Sequence, residues 1–334
     1  MRSARLELAL QSGALVLPAA GDILVLRPRA GDDLSALPQD RVVVKTGFKP
    51  DHDYFAAQGY RMQSTAPAAP VPAQTSPVAL AIVCVPRAKA EARALLAEAM
   101  AADLIVVDGQ KTDGVETLLK DCKALGLQVG EALSKAHGKL ALITPAPALA
   151  AWTAQPSVVA GDFKTLPAVF SADGPDRGSE LLVAALPVKL GNRVADLGAG
   201  WGYLSRAILS RDGVKELDLV EAEADALTCA QLNIPDPRAR FHWADATSFK
   251  PARFWDAVVM NPPFHTAREA DANLGMGFIK AAQRGLSPSG SLYMVANRHL
   301  PYDKLLVTLF KQVEEIGGDK SFRVVRASYP IRTR

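Results

Sequence analysis

The chain has 334 residues, of which 49% are hydrophobic, 22% charged and 6% aromatic, and a formal net charge of +3. That length suits two domains of roughly 100–200 residues each, and the composition excludes a mainly disordered or fibrous chain. The charge is too mild and too evenly spread for bulk attraction to nucleic acid: 16 Lys and Arg stand against 15 Asp and Glu up to residue 155, and 22 against 20 beyond it.

From the N-terminus, Met1-Arg2-Ser3-Ala4-Arg5 leads into residues of alternating character, without the apolar core and cleavage site of a secretory signal. Apolar runs such as residues 77–85 fall well short of the roughly 20 residues a membrane-spanning helix needs. Cys84, Cys122 and Cys229 are odd in number and lack metal-ligand spacing. They read as packed thiols in a reducing compartment, so a cytoplasmic protein with no membrane contact and no metal is expected. Short β-branched runs at 22–26, 41–45, 78–85 and 103–107 alternate with helical patterns at 88–101 and 114–125. That alternation predicts a βαβ-type domain with a largely parallel sheet. Residues 64–77 hold four prolines and read as a surface loop. No glycine-rich turn follows these strands in a form that admits a ligand closely; Val107-Asp108-Gly109-Gln110 comes nearest, and one glycine after a strand is usually a plain turn. Prolines and small residues at 144–156 place a domain boundary there, giving domains 1–155 and 156–334.

Beyond the boundary the rhythm sharpens. Strands are predicted at 193–197, 216–220, 239–243, 255–260 and 290–295, and helices at 202–209, 222–232 and 270–285, the pattern of an open doubly wound sheet. Residues 321–328 alternate and predict an antiparallel edge strand. The tail carries Lys320, Arg323, Arg326, Arg332 and Arg334 with no acidic residue after Asp319, which makes either a small cationic edge or a solvated chain end.

Val194-Ala195-Asp196-Leu197-Gly198-Ala199-Gly200 is a strand ending in an acidic residue and a glycine turn, where Gly198 and Gly200 let backbone approach a ligand. Glu221 ends the next strand, 23 residues after Gly198, where a carboxylate can accept from both hydroxyls of a ribose. Asp245 follows the strand after that and can take the exocyclic amine of an adenine. Taken singly, Asp245 is as well a helix cap and Glu221 a solvated charge; together, in order on successive strand ends, they suit a nucleoside. A dinucleotide would want a third glycine where Tyr203 stands, and Asp196 would repel a pyrophosphate. Asp196 suits instead a positively charged group such as the amino group of a methionine moiety. Asn261-Pro262-Pro263-Phe264-His265 then follows the strand at 255–260. The Asn261 amide oxygen and the Pro262 carbonyl can accept both hydrogens of a planar amine, Pro263 stiffens the turn, and Phe264 offers a stacking face.

These residues resemble a class I S-adenosylmethionine-dependent methyltransferase acting on exocyclic amines. The fuller pattern is Leu166 to Ser171, then Asp176, Gly178 and Ser179, then Asn261 to His265, then Ala296-Asn297-Arg298-His299-Leu300-Pro301-Tyr302. It is similar to the bacterial ribosomal RNA guanine-N2 methyltransferases, most of all the 16S small-subunit enzymes. The resemblance implies two tandem Rossmann-like methyltransferase-type domains, the first degenerate and serving RNA positioning or support, with Phe48 to Asp53 and Gly109 to Val115 carrying its looser likeness. It implies S-adenosylmethionine as cofactor, with Ser171, Gly178 and Ser179 joining Asp196, Gly198, Gly200, Glu221 and Asp245 around it. Asn261, Pro262, Pro263 and Phe264 would be catalytic, and ribosomal RNA or the small subunit the partner. Phe264, His265, Arg298 and His299 would meet the substrate, although either histidine serves equally as a structural hydrogen-bonder. Ala168 stands where the family commonly has Gly, and Pro175 where a Leu is usual, both in the loop expected to close over the methionine end.

Other readings remain open at this stage. Adenine N6, a large-subunit guanine N2 or a protein glutamine is also a planar amine met by such a motif. A non-catalytic RNA-binding assembly factor could keep the fold. Oligomeric state is not legible.

Overall fold

Strands that are apolar on both faces must lie between two layers of helix, and in this chain they form the middles of two separate sheets. The computed structural model describes residues 2–63, 77–263, 265–266, 269–270 and 272–332. The predicted loop at 64–77 therefore lies, but for Pro77, outside the described residues. The chain divides into two units, Met1–Gln155 and Pro156–Arg334.

The first unit runs α1 (Arg2–Gln11), β1 (Asp22–Leu26), β2 (Val42–Lys45), α2 (Lys49–Ala57), β3 (Arg61–Met62), β4 (Val78–Cys84), α3 (Lys89–Glu98), β5 (Ile105–Gln110), α4 (Val115–Ala124), β6 (Leu133–Lys135) and β7 (Gly138–Ile143). Its sheet has the order β3-β2-β1-β4-β5-β7-β6, parallel through β5 and antiparallel at β7 and β6.

The second unit opens with the hairpin β8 (Ser157–Val159) and β9 (Phe163–Thr165), followed by α5 (Arg177–Ala185), β10 (Arg193–Leu197), α6 (Tyr203–Leu209), β11 (Glu216–Glu221), α7 (Ala224–Asn233), β12 (Ala239–Trp243) and β13 (Trp255–Met260). Then come the short strands β14 (His265–Thr266) and β15 (Glu269–Ala270), α8 (Ala272–Gly285), β16 (Leu286–Asn297), α9 (Asp303–Leu309), β17 (Phe310–Gly318) and β18 (Phe322–Pro330). The order β12-β11-β10-β13-β16-β18-β17 repeats the first sheet position by position, again parallel through its fifth strand and antiparallel at the last two. Both units are thus Rossmann-like α/β folds of the methyltransferase type.

Strand alternation divides each core into two layers. Ala195, Leu197, Val258 and Met260 enter one cluster, while Val194, Ala257 and Val259 enter the other. Each buried Val or Leu contributes about 1.5–3 kcal/mol, and a one-residue slip would move every one of them to the wrong face, so the register is firmly set. In both sheets the chain order reverses between the third and fourth strands, β1 and β4 or β10 and β13, and open α/β sheets bind ligands at the carboxyl ends beside such a reversal.

Four expectations change. The N-terminus is a helix: Leu6, Leu8 and Leu10 alternate like a strand, but the buried set is Arg2, Arg5, Leu6 and Ala9, at helical spacing. Its arginines are buried because Arg5 Nε donates to Asp108 Oδ1 at 2.6 Å and Arg2 Nη1 to the Asp108 carbonyl at 2.6 Å, a partnership hydropathy cannot show. Gly109 makes no turn but continues β5, where a Cβ would sit 2.7 Å from the Val85 Cβ; the left-handed turn comes at Gly114, with φ +84°. The strand near 321–328 is antiparallel but interior, and β17 is the edge, its charged and glycine-rich Lys311 to Gly318 disguising a strand in the way edge strands commonly do. The tail is no bare cationic edge: Arg323 pairs with Asp303, Arg326 with Glu314 at 3.1 Å, and Arg332 Nη2 donates to the Leu286 carbonyl at 2.7 Å, while Lys320 is exposed and Arg334 lies outside the described residues.

Cys84, Cys122 and Cys229 are free and buried, and burial pushes their thiols up to about 12, 12 and 11. Among the described residues no helix is long and apolar enough to cross a membrane.

Candidate functional site

The reversal between β10 and β13 places the glycine turn and Asn261 side by side. A concavity there is lined by Ser171, Asp176, Ser179, Gly198, Gly200 and Asn261, together with Phe170, Ala199, Trp201, Tyr203 and Leu204. Gly198 (φ +75°) and Gly200 (φ +56°) hold the turn in the left-handed region, and at Gly200 a Cβ would meet nothing within 4 Å, so open space lies directly over the backbone. Tyr203, at the position where a dinucleotide fold wants glycine, is packed 5.7 Å from Trp201 and 5.9 Å from Phe163, centroid to centroid. Trp201 Nε1 donates to the Phe170 carbonyl at 3.0 Å, which ties the 166–171 loop to the glycine turn. That loop is strained: Ala168 and Ser171 take φ of +78° and +54°. The first value explains why glycine is at home at 168.

Asp196 is fully buried at the end of β10. Its Oδ2 accepts from the Ser205 hydroxyl at 2.7 Å, and its Oδ1 is buried without a hydrogen-bond partner. Burial, with the nearby Glu221 carboxylate adding to it, pushes Asp196 up to about 7 against the pull of the Ser205 hydroxyl. An unsatisfied buried acceptor costs about 1–3 kcal/mol, so a cation or donor is the chemistry this oxygen lacks. Glu221, half-buried, already accepts from the backbone N–H of Gly200 at 2.8 Å and of Glu223 at 2.7 Å. Burial raises its pKa and these N–H groups oppose the rise. The carboxylate expected to be a ribose acceptor therefore also pins the glycine turn to the end of β11. Asp245 accepts from Thr247 N at 2.8 Å and from the Thr247 hydroxyl at both oxygens, 2.7 and 2.8 Å, so it caps a turn at the end of β12. Neither Asp196, Glu221 nor Asp245 lines the concavity itself, and Gly178 lies just behind it, where a Cβ would come 2.9 Å from Asp176 Oδ2.

Asn261 is the best-defined polar group of the site. Its Nδ2 donates to Asp176 Oδ2 at 2.8 Å and to Ser179 Oγ at 3.0 Å. Both amide hydrogens are thereby used, and what remains of the amide is its oxygen, an acceptor. Pro262 is buried and Pro263 exposed. Phe264 lies outside the described residues, as does the side chain of His265. Ser179 thus meets Asn261, a contact that spacing does not reveal. Asp176 was visible only as part of a pattern, and the one local signal for it is its position as N-cap of α5, accepting from Ser179 N at 3.1 Å. Arg298 is not brought into the concavity. Its guanidinium holds Glu315 at 2.6 and 3.2 Å and the Asp319 carbonyl at 2.7 Å, which fixes the loop after β16 to β17. His299 is exposed on the same loop.

The sequence profile of the methyltransferase small domain matches residues 160–326. The chain belongs to the methyltransferase small domain family. The matched span of the methyltransferase small domain contains every site residue described above. Residues 1–159 lie outside this match, and with them the whole first unit, Met1–Gln155. Over 192 residues the chain is 34% identical to "Ribosomal RNA small subunit methyltransferase C" of Salmonella paratyphi B, and 33% identical to the protein of that name from Salmonella choleraesuis, in each case over 57% of this chain and 56% of the relative. The match spans about half the length of these curated relatives. Across nearly the whole chain, the fold is similar to that of a solved Thermus thermophilus 16S rRNA N2 G1207 methyltransferase in complex with AdoMet and guanosine. The TM-score is 0.76 at 24% identity, covering 94% of this chain and 90% of that one.

Proposed function

We propose that the second unit transfers a methyl group from S-adenosylmethionine to the exocyclic N2 amine of a guanine in ribosomal RNA, most specifically the 16S RNA of the small subunit. The observation that carries this reading is the Asn261 amide, oriented by its nitrogen end and set beside an open glycine turn in one concavity. The names of the similar proteins supply the substrate class.

The residues present suit the cofactor. Gly198 and Gly200 leave room for it against the backbone, the unpartnered Asp196 Oδ1 suits a methionine amino group, and Glu221 retains acceptor capacity for a ribose diol. Asp245 and Ser171 would complete the adenine and methionine ends. When bound, S-adenosylmethionine supplies a methyl group on a sulfonium that departs as a neutral thioether. The protein's task is then proximity and orientation, worth up to roughly 7–11 kcal/mol. A guanine N2 lone pair is delocalised into its ring. Accepting the amine hydrogens at the Asn261 amide oxygen and the Pro262 carbonyl turns that pair toward the methyl carbon, and holds the nitrogen as it becomes positive before it releases a proton. Phe264 would stack on the base, which must leave its own stack at a cost of a few kcal/mol. The first unit would take no cofactor and would position the RNA or support its partner.

The test uses small ribosomal subunits from a strain lacking this protein, incubated with the purified full chain and methyl-labelled S-adenosylmethionine. N2-methylguanine at one position, found by mass spectrometry of the RNA, is the expected product. Label in adenine, in large-subunit RNA only or in protein glutamine would replace this reading, and no transfer at all would favour a binding protein.

A further inference from the structure

Asn261 has two chemically opposite ends on a bond that rotates by 180° between similar shapes. Only one orientation serves an amine nucleophile. With Oδ1 toward the substrate it accepts an N–H; with Nδ2 there it would set donor against donor. Nothing in the residue itself chooses. The choice is made by two groups contributed by α5, from 82 to 85 residues earlier in the chain: Asp176 Oδ2 at 2.8 Å and Ser179 Oγ at 3.0 Å, both on the nitrogen side. Rotating the amide would press its oxygen against a carboxylate oxygen, a repulsive contact between acceptors. Asp176 is itself fixed, because the same Oδ2 accepts the Ser179 backbone N–H as the cap of α5. The proline pair that follows Asn261 holds its backbone from the other side.

We infer that Asp176 and Ser179 are positioning residues for the methyl-transfer step, a clamp that selects the reactive orientation of the Asn261 amide. This assigns Ser179 a partner other than the cofactor, and it rests on the reading of Asn261 given above. Substrate binding does not depend on the clamp as strongly as turnover does, since only the advancing transition state needs the amide oxygen in line.

The test measures kcat, KM for S-adenosylmethionine and cofactor affinity for the full chain on small ribosomal subunits lacking the modification. Asp176→Ala is expected to lower kcat roughly tenfold to a hundredfold, as misplacement of a reacting group does, with cofactor affinity changed by less than about threefold. Asp176→Asn, which still offers an oxygen to both donors, should recover most of that loss. Ser179→Ala, which removes one acceptor while keeping the capped backbone N–H, should fall between and carries the test if Asp176→Ala does not fold. In the double variant Asp176→Ala with Asn261→Ala, kcat should be no lower than in Asn261→Ala alone. Loss confined to cofactor affinity, or multiplying losses in the double variant, overturns the clamp. A slow Asn261→Ala beside Asp176→Ala at full kcat also overturns the clamp and leaves the role of Asn261 standing. Asn261→Ala at full rate overturns that role itself, and the clamp with it.

Discussion

The two units share a sheet order and even a hydrogen bond: Arg27 N donates to the Lys45 carbonyl at 2.7 Å where Gly198 N donates to the Val220 carbonyl at 2.8 Å. Counting from that bond through the strand registers, Val25 stands where the second unit has Asp196, Arg27 where it has Gly198, Thr46 where it has Glu221, and Cys84 where it has Asn261. Arg27 even keeps the left-handed backbone, φ +60° against +75°. What differs is the matter above the turn. In the first unit the Arg27 guanidinium bonds Glu91 on α3 at 2.6 Å and Thr46 at 3.5 Å, spanning the ends of the strands. Its leading helix α1 sends Arg2 and Arg5 to Asp108, while in the second unit the leading helix α5 sends Asp176 and Ser179 to Asn261. One scaffold sets an ion-paired arginine over the turn, and the other leaves the turn lined by glycine and an oriented amide. Two copies of one fold can therefore carry different strand-end chemistry, because sheet order depends on apolar runs while a site depends on a handful of strand-end residues.

The largest expected effect that could break this comparison is at Asn261. Asn261→Ala should cost about 2.7–4 kcal/mol of transition-state stabilisation by analogy with an oxyanion-hole donor, seen as a kcat at least about a hundredfold lower with nearly normal cofactor binding by calorimetry. Asn261→Asp, still an acceptor, should retain more activity than Ala. Next comes Glu221. Calorimetry should find one S-adenosylmethionine per chain, and Glu221→Ala should weaken it more than tenfold, since hydrogen bonds to a charged acceptor contribute about 1.5–3 kcal/mol each. Two molecules per chain would mean that the first unit binds the cofactor as well.

Asp196 gives a pH signature at a position where the first unit has the non-titrating Val25. Its folded pKa of about 7 lies above the ordinary carboxylate value, so the folded state binds the extra proton between about pH 4 and 7. Stability linked to this group is full at the acid end of that window and is lost as pH rises through 7. Asp196→Asn should flatten that dependence, raising the melting temperature of the cofactor-free protein at pH 8 while weakening its hold on S-adenosylmethionine. An unchanged pH profile of melting would show that the carboxyl is not strained. The smallest effect is at Ala168. Ala168→Gly relieves a left-handed alanine worth roughly 1–2 kcal/mol and gives back about 0.5–1 kcal/mol through the freer unfolded chain. A gain of a degree or two in melting temperature is expected, and a loss would mean the alanine methyl packs usefully.

Several candidate site residues were legible in the one-dimensional pattern because they sit at strand ends, where a run of apolar letters stops. Gly198, Glu221, Asp245 and Asn261 are each the first or second letter after such a run. Asp176 was not, since its importance lies in a contact made across 85 residues. Arg298 is the opposite case: a basic residue in a suggestive motif, it pairs with Glu315 and does not line the concavity. Likewise α1 and β17 were missed because a buried arginine reads as surface and a charged edge strand reads as loop.

By itself, then, the sequence determined the number of units, the central parallel strands and the residues at their carboxyl ends, because hydrophobic periodicity and glycine placement are local properties of the chain. Tertiary structure alone decided which carboxylates are already committed to backbone N–H groups, which arginines are neutralised, which way the Asn261 amide faces and which of two like turns carries an ion-paired arginine over it. Those are matters of pairing between residues far apart in the chain, and pair distances are set only when the sheets close.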